Sequence, residues 1–358
     1  MTTHTISVLA GDGIGLEVMP VAIEVLDAAT RDAGVRLDWR VQDWGSDYYR
    51  AHGTMMPADA IETMAATDAI FLGAVGHPDV SDVETLWGML IPIRRAFDQY
   101  VNLRPVRSFA GVRSSLAGDP EIDVVIVREN VEGEYSAVGG RSYQGTPHEA
   151  AYQQSLFTRH GIERIATYAV EVASGRRKHL VSATKSNGII HTMPFWDEVV
   201  AEVVDRAGDI ELESVLIDAL AARAVRSPQS LDVIVASNLF GDILSDLVAG
   251  AVGSIGIAPS ANLNPAGEHP SMFEPVHGSA PDIAGRGIAN PVGQIWAGAM
   301  MLRHLGHPQI ADQIEAAFTA VVERGEVTPD LGGTLSTREV GAAVIAELAA
   351  QRSRATGA

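Results

Sequence analysis

ISVLAGDGIGLEVMPVAIEVL, residues 6 to 26, opens the chain with an apolar run, a glycine turn and an apolar periodicity. Ile6 to Ala10 has the length and composition of a buried strand. GDGIG at 11 to 15 breaks it, and Val18, Val21, Ala22, Val25 and Leu26 then recur at helical spacing. A strand, a turn and a helix in that order predict an α/β layer architecture. The turn is not the dinucleotide fingerprint: GxGxxG begun at Gly11 needs glycine where Leu16 stands, and begun at Gly13 needs it where Val18 stands. A conventional Rossmann phosphate site is therefore unsupported, and no P-loop sequence occurs.

The same alternation continues outward. Strands are expected at about 36–41, 69–72, 123–127, 179–184, 214–217 and 233–236, and helices at about 57–66, 160–175, 191–207, 308–324 and 337–352. Pro92 suits the first turn of a helix running to about Tyr100. Ser336 with Glu339 forms a capping box for the last helix. The glycines of LGAVGHP, residues 72 to 78, end a strand in an open loop. Residues 136 to 159 lack a helical period and read as a protruding arm, and the stretch after Gln351 reads as a loose tail. Alternating strands and helices predict parallel strands that deliver loops to a crevice at their carboxyl ends.

Composition narrows the classes of function. The 358 residues suggest two domains, and 46% hydrophobic with 20% charged residues describe a globular chain. No apolar run approaches the ~18 to 20 residues of a membrane span. A net charge of −19 repels nucleic-acid phosphates. The absence of cysteine removes disulfides and thiolate chemistry together and fits a reducing compartment, so a cytoplasmic protein is expected, binding neither nucleic acid nor membrane.

Several residues carry chemistry. NLFGDILSD, residues 238 to 246, follows the buried run Val233 to Ala236. With a helix starting near Phe240, Asp242 and Asp246 share a face one turn apart. Paired carboxylates in a cleft suit a hard divalent cation, Mg²⁺ or Mn²⁺; a solvated helix start is the alternative. Asp218, at the end of another strand, points to the same direction. Arg128 ends the strand DVVIV and suits an anion through its guanidinium fork. Of the 26 basic residues only Lys178 and Lys185 are lysines. Lys185, among small residues after a strand, marks a place where an amine able to act as a base is required, with an exposed surface lysine as the alternative. EPVHGSAPDIAGRGIANP, residues 274 to 291, is too irregular for a helix or strand and too long for a connector, so it is a binding-loop candidate.

Taken together, GDGIG (11–15), NLRP (102–105), VREN with EGEY (127–135), ATKSNG (183–188), NLFGDILSD (238–246) and EPVHGSAPDIAG (274–285) resemble the β-decarboxylating dehydrogenase family, the isopropylmalate and isocitrate dehydrogenases. The match spans essentially the whole chain. The resemblance implies the isopropylmalate-dehydrogenase-like fold, two α/β domains around a cleft. Residues 1 to 100 and 254 to 358 would form the cofactor side, and 101 to 253 a dimerisation and substrate domain bearing the arm. It implies oxidation of a malate-type 2-hydroxy acid with NAD as hydride acceptor, followed by loss of the β-carboxylate as CO₂. Arg94, Arg104 and Arg128 match the substrate clamps, Leu90 and Ile91 the substrate wall, and Asp242 and Asp246 the metal ligands, with Asp218 from the partner subunit of a homodimer. Lys185, also supplied across the dimer, matches the base for the hydroxyl proton, and Tyr135 the residue that protonates the enolate. A monovalent cation such as K⁺ is a further candidate.

For the cofactor, the resemblance implies contacts from Gly73, Ala74, Val75 and Gly76, from Asn187, and from His277, Gly278, Ser279, Ala280 and Asn290. NADP users of the family carry Lys and Tyr where this chain has Asp282 and Ile283, and a carboxylate at 282 repels a 2′-phosphate, which favours NAD. Isocitrate is disfavoured, since the Ser and Asn that hold its third carboxylate are replaced by Gly88 and Leu90. LWGMLIPIRR, FDQYVNLRP and IAPSANLNP read like the tartrate- and D-malate-oxidising members, with Trp87 and Met89 expected to fill the space of a γ-substituent. 3-Isopropylmalate stays open as an alternative, as does, from another class, a metal-dependent phosphoryl-transfer or hydrolytic enzyme.

Overall fold

The computed structural model describes residues 2–356. The strands are β1 (Thr2–Gly11), β2 (Val35–Gln42), β3 (Ala69–Ala74), β4 (Val101–Arg107), β5 (Asp123–Glu129), β6 (Gly139–Ser142), β7 (Ala150–Gln153), β8 (His179–Thr184), β9 (Glu211–Leu216), β10 (Val233–Ala236), β11 (Pro259–Leu263) and β12 (Ser271–Pro275). Ten of them form one sheet in the order β2-β1-β3-β12-β11-β4-β5-β10-β8-β9. The expectation of parallel strands holds in two blocks, β2-β1-β3-β12 and β5-β10-β8-β9. It fails in the middle, where β11 is antiparallel to β12 and β4, and β4 to β5. The two parallel blocks consequently run in opposite directions. Helices cover the sheet: Val292–His304 packs on β3, β11 and β12, and Arg159–Ser174 packs on β5, β8 and β10. This is a mixed α/β architecture and not a Rossmann fold.

The opening motif folds as its pattern demands. β1 runs into Gly11 and Gly13, both at positive φ, and the helix Gly15–Thr30 follows with Val18, Ala22, Val25 and Leu26 buried. A side chain at Gly13 would place its Cβ 2.1 Å from the Ser279 carbonyl oxygen, so glycine lets the turn press against the 274–291 loop.

Other expectations are corrected. The helix expected from Pro92 begins at Asp82, passes through a π turn at Leu86–Leu90 and ends at Ala96. Pro92 has no N–H to donate, and the widened turn, closed by Ile91 N–H to Leu86 C=O, accommodates it inside a continuing helix. The helix of NLFGDILSD starts at Asn238, capped by the Ser237 hydroxyl, so Asp242 lies beyond the first turn rather than at the dipole end. Gly73 and Ala74 belong to β3 instead of a loop, and Glu274 and Pro275 close β12.

The helix placed from Pro57 forms at Ala60–Ala65. Elements without a periodic signal are β4, interrupted by Pro105, β11, the short helix Ser46–His52 and the helix Val292–His304. That last helix is buried nearly all round, so it has no apolar stripe to read. Residues 352–356, expected to be loose, continue the helix Thr337–Thr356. Arg352 ties it to the Ala28 and Ala29 carbonyls and to Asp32; Gly357 and Ala358 lie outside the described residues. The capping box forms, with Ser336 Oγ and N both donating to Glu339 Oε2 at 2.7 and 2.8 Å. Residues 139–142 and 150–153 pair as an exposed two-stranded ribbon. Among the described residues no helix is long and apolar enough to cross a membrane.

Candidate active site

Where the two blocks meet, β4, β11 and β12 carry polar side chains on one face. Asn262 Nδ2 donates to Glu274 Oε1 at 2.7 Å, while its Oδ1 accepts from Asn102 Nδ2 at 3.0 Å and Asn130 Nδ2 at 2.9 Å. All four residues are buried, so each needs these partners. The lattice orients two arginines. Arg104 Nε donates to Asn102 Oδ1 at 2.6 Å, and Arg94, projected by the segment after the π turn, donates Nη2 to Glu274 Oε1 at 3.0 Å. Arg94 Nε is buried with no partner in the protein.

The third arginine comes from the end of β5. Arg128 donates Nε and Nη2 to Asn238 Oδ1 at 3.1 and 2.7 Å and Nη1 to Asp242 Oδ1, and its guanidinium lies over the Tyr135 ring. Burial, with the neighbouring Arg104 charge, lowers its pKa to about 10, which leaves it a cation at neutral pH. Gly241 permits the close approach of helix and strand, since a Cβ there would fall 2.6 Å from Arg128 Cβ. Glu134 secures the start of this helix by accepting from Ser237 Oγ at 2.7 Å and Leu239 N at 3.0 Å.

Asp242 is the hub. Its Oδ1 faces Arg128 and, at 3.2 Å, Arg104 Nη1, and its Oδ2 accepts the Tyr135 hydroxyl at 2.9 Å. Burial alone would raise its pKa, but Arg128 and Arg104 outweigh burial and hold it below its ordinary value. Asp246 Oδ1 lies 3.4 Å from the same Arg104 nitrogen. It is shifted upward by burial, against the pull of Arg104 and with Asp242 adding repulsion. Burial and the Asp242 charge raise Tyr135 as well, so the phenol stays protonated at neutral pH. Arg95 donates to the Tyr135 carbonyl at 2.8 Å.

Arg94, Arg104, Arg128, Asn130, Tyr135, Asn238, Asp242 and Glu274 line a cavity of about 190 Å³ together with Gly73, Ala74, Val75, Leu90, Ile91, His277 and Gly278, and Asp246 stands just outside its lining. Leu86 completes its apolar wall. Trp87 and Met89, expected to restrict it, do not line it: Met89 is buried in the core behind, and Trp87 stacks under Arg95. Leu86, Leu90 and Arg94, spaced four apart, form the face turned to the cavity, and Trp87 and Met89 lie off it. A neighbouring cleft of about 620 Å³ shares Val75 and Gly278 with the first and adds Gly76, Ser279 and Ala280. Asp12 fixes its floor by accepting from Gly76 N at 2.8 Å and Ser46 Oγ at 2.6 Å. His277 is buried and kept neutral by burial, with Nε2 lacking any partner in the protein. Asp282 is exposed, and Ile283 packs on Ile14 and Val18. Asn290 lies apart from both cavities, its side chain committed to Asp330 and the Val292 N–H.

Lys185, Asn187 and Asp218 lie outside the cavity. Asp218, in the first turn of the helix Ile217–Arg226, is 66% exposed and pairs with Lys185 Nζ at 2.6 Å, a contact that lowers its pKa. Asp218 thus does not join Asp242 and Asp246 within one chain, and among the described residues no three His, Cys, Asp or Glu side chains gather to hold a metal. Asn102, Asn130, Asn262, Glu274, Asp12 and Glu134 join the site without being among the residues expected there. Their signal is a polar residue at an inward position of an apolar strand or in a glycine turn.

A family model described as isocitrate/isopropylmalate dehydrogenase matches residues 5–344. D-malate dehydrogenase (decarboxylating) of Escherichia coli (strain K12) is 52% identical over 354 residues, 96% of this chain and 98% of that protein. Tartrate dehydrogenase/decarboxylase of Pseudomonas putida is 51% identical over 362 residues, covering 98% and 99%. Among solved structures, an isocitrate dehydrogenase from Methylococcus capsulatus superposes with a TM-score of 0.88 at 36% identity, covering 96% of this chain and 99% of that one.

Proposed function

The chain belongs to the isocitrate/isopropylmalate dehydrogenase family, and from that membership we propose that it oxidatively decarboxylates a malate-type 2-hydroxy acid. D-malate and tartrate are the proposed substrates, NAD the hydride acceptor and Mg²⁺ or Mn²⁺ the metal. The observation that carries the reading is the convergence of Arg94, Arg104 and Arg128 with Tyr135 and Asp242 on one small cavity. Three guanidinium groups suit a dicarboxylate, and a cavity of about 190 Å³ suits a four-carbon one better than a bulkier acid. The Leu86, Leu90 and Ile91 wall favours a second reading, 3-isopropylmalate. A phosphoryl-transfer or hydrolytic reading finds no support in the family.

Asp242 and Asp246 supply hard oxygen donors close to one point, both within 3.4 Å of Arg104 Nη1, and fit a divalent cation better than a soft one. Two carboxylates are an incomplete set, and Asp218 of a second subunit is the proposed third. A cation held there supplies Lewis-acid polarisation of the substrate hydroxyl and of the carbonyl that replaces it. For NAD, the unpartnered His277 Nε2 and the second cleft past Gly76, Ser279 and Ala280 suit an adenosine half, and Asp282, exposed next to Pro281 of that cleft, is the proposed partner of the ribose hydroxyls.

Within this reading the arginines orient the substrate carboxylates. Lys185, half-buried on its own chain and paired with Asp218, takes the hydroxyl proton in the site of the partner subunit. Tyr135, held protonated beside Asp242, returns a proton to the carbon that loses CO₂. The domain division at about residues 100 and 254 is part of the proposal and is supported by the sheet. β1, β2, β3, β11 and β12 fall on one side of it, and β4, β5, β8, β9 and β10 on the other. A cytoplasmic location rests on the cysteine-free composition.

The test is NADH absorbance with D-malate, tartrate and 3-isopropylmalate, each with Mg²⁺ and with Mn²⁺. Turnover of D-malate or tartrate is expected. Turnover of 3-isopropylmalate alone would favour the second reading, and turnover of none of them would overturn both.

A further inference from the structure

The strands that carry the candidate site have a second cavity on their other face. Side chains alternate along a strand, so Arg104 and Glu274 face forward while Leu103, Leu263 and Phe273 face backward. The backward face floors a half-open cleft of about 640 Å³, walled by Trp296 of the helix Val292–His304. That volume lies in the range of roughly 300 to 1,000 Å³ that small-molecule sites occupy.

The charges of the cleft are unevenly satisfied. Arg176 pairs with Asp123 at 2.9 Å, and Arg303 with Glu315 at 2.7 Å. His304 is kept neutral by burial, and Glu121 stands exposed in water at the mouth. Arg107 differs from the other two arginines. Among the described residues no carboxylate lies within ion-pair distance of it. Its hydrogen bond is Nη2 to Thr319 Oγ1 at 2.8 Å, and its buried Nε has no acceptor. Its guanidinium lies 5.0 Å from the ring centres of both Phe109 and Trp296, which hold it at the edge of an apolar floor.

We propose that this cleft is a second ligand site that takes a small amphipathic carboxylate. Its carboxylate pairs with Arg107, and its aromatic or aliphatic body lies on Phe273, Trp296 and Leu263. An unpaired guanidinium beside desolvated aromatic surface offers a carboxylate a charge-assisted bond that neither a neutral nor a cationic analogue can replace. The site shares β4, β5 and β12 with the front cavity but none of its lining side chains.

Calorimetric titration of the full-length protein with 4-phenylbutyrate and, separately, 4-phenyl-1-butanol tests this. The acid is expected to bind at one site per chain and at least about tenfold more tightly than the alcohol. Arg107→Met should abolish that preference, and Met300→Trp, which fills the cleft and keeps Arg107, should weaken both ligands by a similar factor. Arg94→Met, in the front cavity, should leave binding unchanged. Absence of binding in the millimolar range, equal affinity for acid and alcohol, or loss of binding in Arg94→Met would each overturn the proposal. If Arg107→Met does not fold by circular dichroism, Met300→Trp decides: undiminished binding there overturns the site.

Discussion

Tyr135 donates its hydroxyl to Asp242 Oδ2 at 2.9 Å, on the carboxylate whose other oxygen faces Arg128 and Arg104. The phenol is therefore placed by the same group proposed to hold a metal, and two cations compete with it for that group. Tyr135→Phe keeps the ring over which Arg128 lies and removes only the hydroxyl. We predict a fall in kcat of roughly 10² to 10⁴, the usual worth of a positioned acid or base, with little change in KM. Steady-state NADH formation checks it, and an unchanged kcat would remove Tyr135 from the chemistry.

Glu129, next to Arg128, predicts a pH dependence of stability. It is buried, and burial raises its pKa from 4.5 to about 7, although the Glu132 and Val131 N–H groups pull it down. A folded pKa above the unfolded one means that the folded chain holds the proton longer. Stability from this group is then full below about pH 4.5 and is lost as pH rises through about 7, a change of about 3 kcal/mol at most. Depressed carboxylates such as Asp242 act in the opposite sense, so the wild type must be compared with Glu129→Gln. The difference in urea midpoint between the two should change in the variant's favour from pH 5 to pH 7.5, and a constant difference would refute the assignment.

The proposed preference for NAD rests on Asp282, which is exposed on the loop anchored by Ile14 N–H to the Ser279 carbonyl at 2.9 Å. A carboxylate there repels a 2′-phosphate, and an amine attracts it. Asp282→Lys with Ile283→Tyr should lower kcat/KM for NAD and raise it for NADP, moving the ratio by at least about a hundredfold, or close to 3 kcal/mol. Parallel initial rates with the two cofactors measure it. A ratio that does not move would place discrimination elsewhere.

Lys185 and Asp218 pair at 2.6 Å on the chain surface, away from the cavity. If each completes the site of a second subunit, Lys185→Ala and Asp246→Ala chains are inactive alone, and their heterodimers regain one complete site. Mixed subunits should reach about a quarter of wild-type activity, because random pairing makes half the dimers hybrid, each with one working site of two. Verified exchange without recovery would mean that the sites are not shared.

Much of this was legible in the order of residues. Apolar runs such as Ile6 to Ala10 and Val233 to Ala236 are strands because a doubly covered sheet buries both their faces. Arg128 at a strand end and the i, i+4 aspartates Asp242 and Asp246 stand out because burying such groups requires partners; Arg94, Arg104 and Tyr135 stood out only through the resemblance. Less legible was whatever depends on residues far apart in the chain. β4 and β11 carry Pro and Asn and lack a clean period; they are strands because each is paired on both sides. Pro92 signalled a helix start and sits within a helix because a π turn absorbs it.

Local pattern thus determined the α/β class and most strands and helices, since strand and helix periods act over a few residues, while the roles expected of Arg94, Arg104 and Tyr135 came from the resemblance to a family. Tertiary structure alone decided that the two parallel blocks run oppositely, that Asn102, Asn130 and Asn262 form one lattice with Glu274, and that Leu86 rather than Trp87 faces the cavity. It also decided that NLFGDILSD presents Asp242 to Arg104 and Arg128 while Asp218 remains outside. The contacts that settle the site, Asn262 with Asn102 and Asn130 and Asp242 with Arg104 and Arg128, join residues more than a hundred positions apart, and their geometry is contained in no short stretch of sequence.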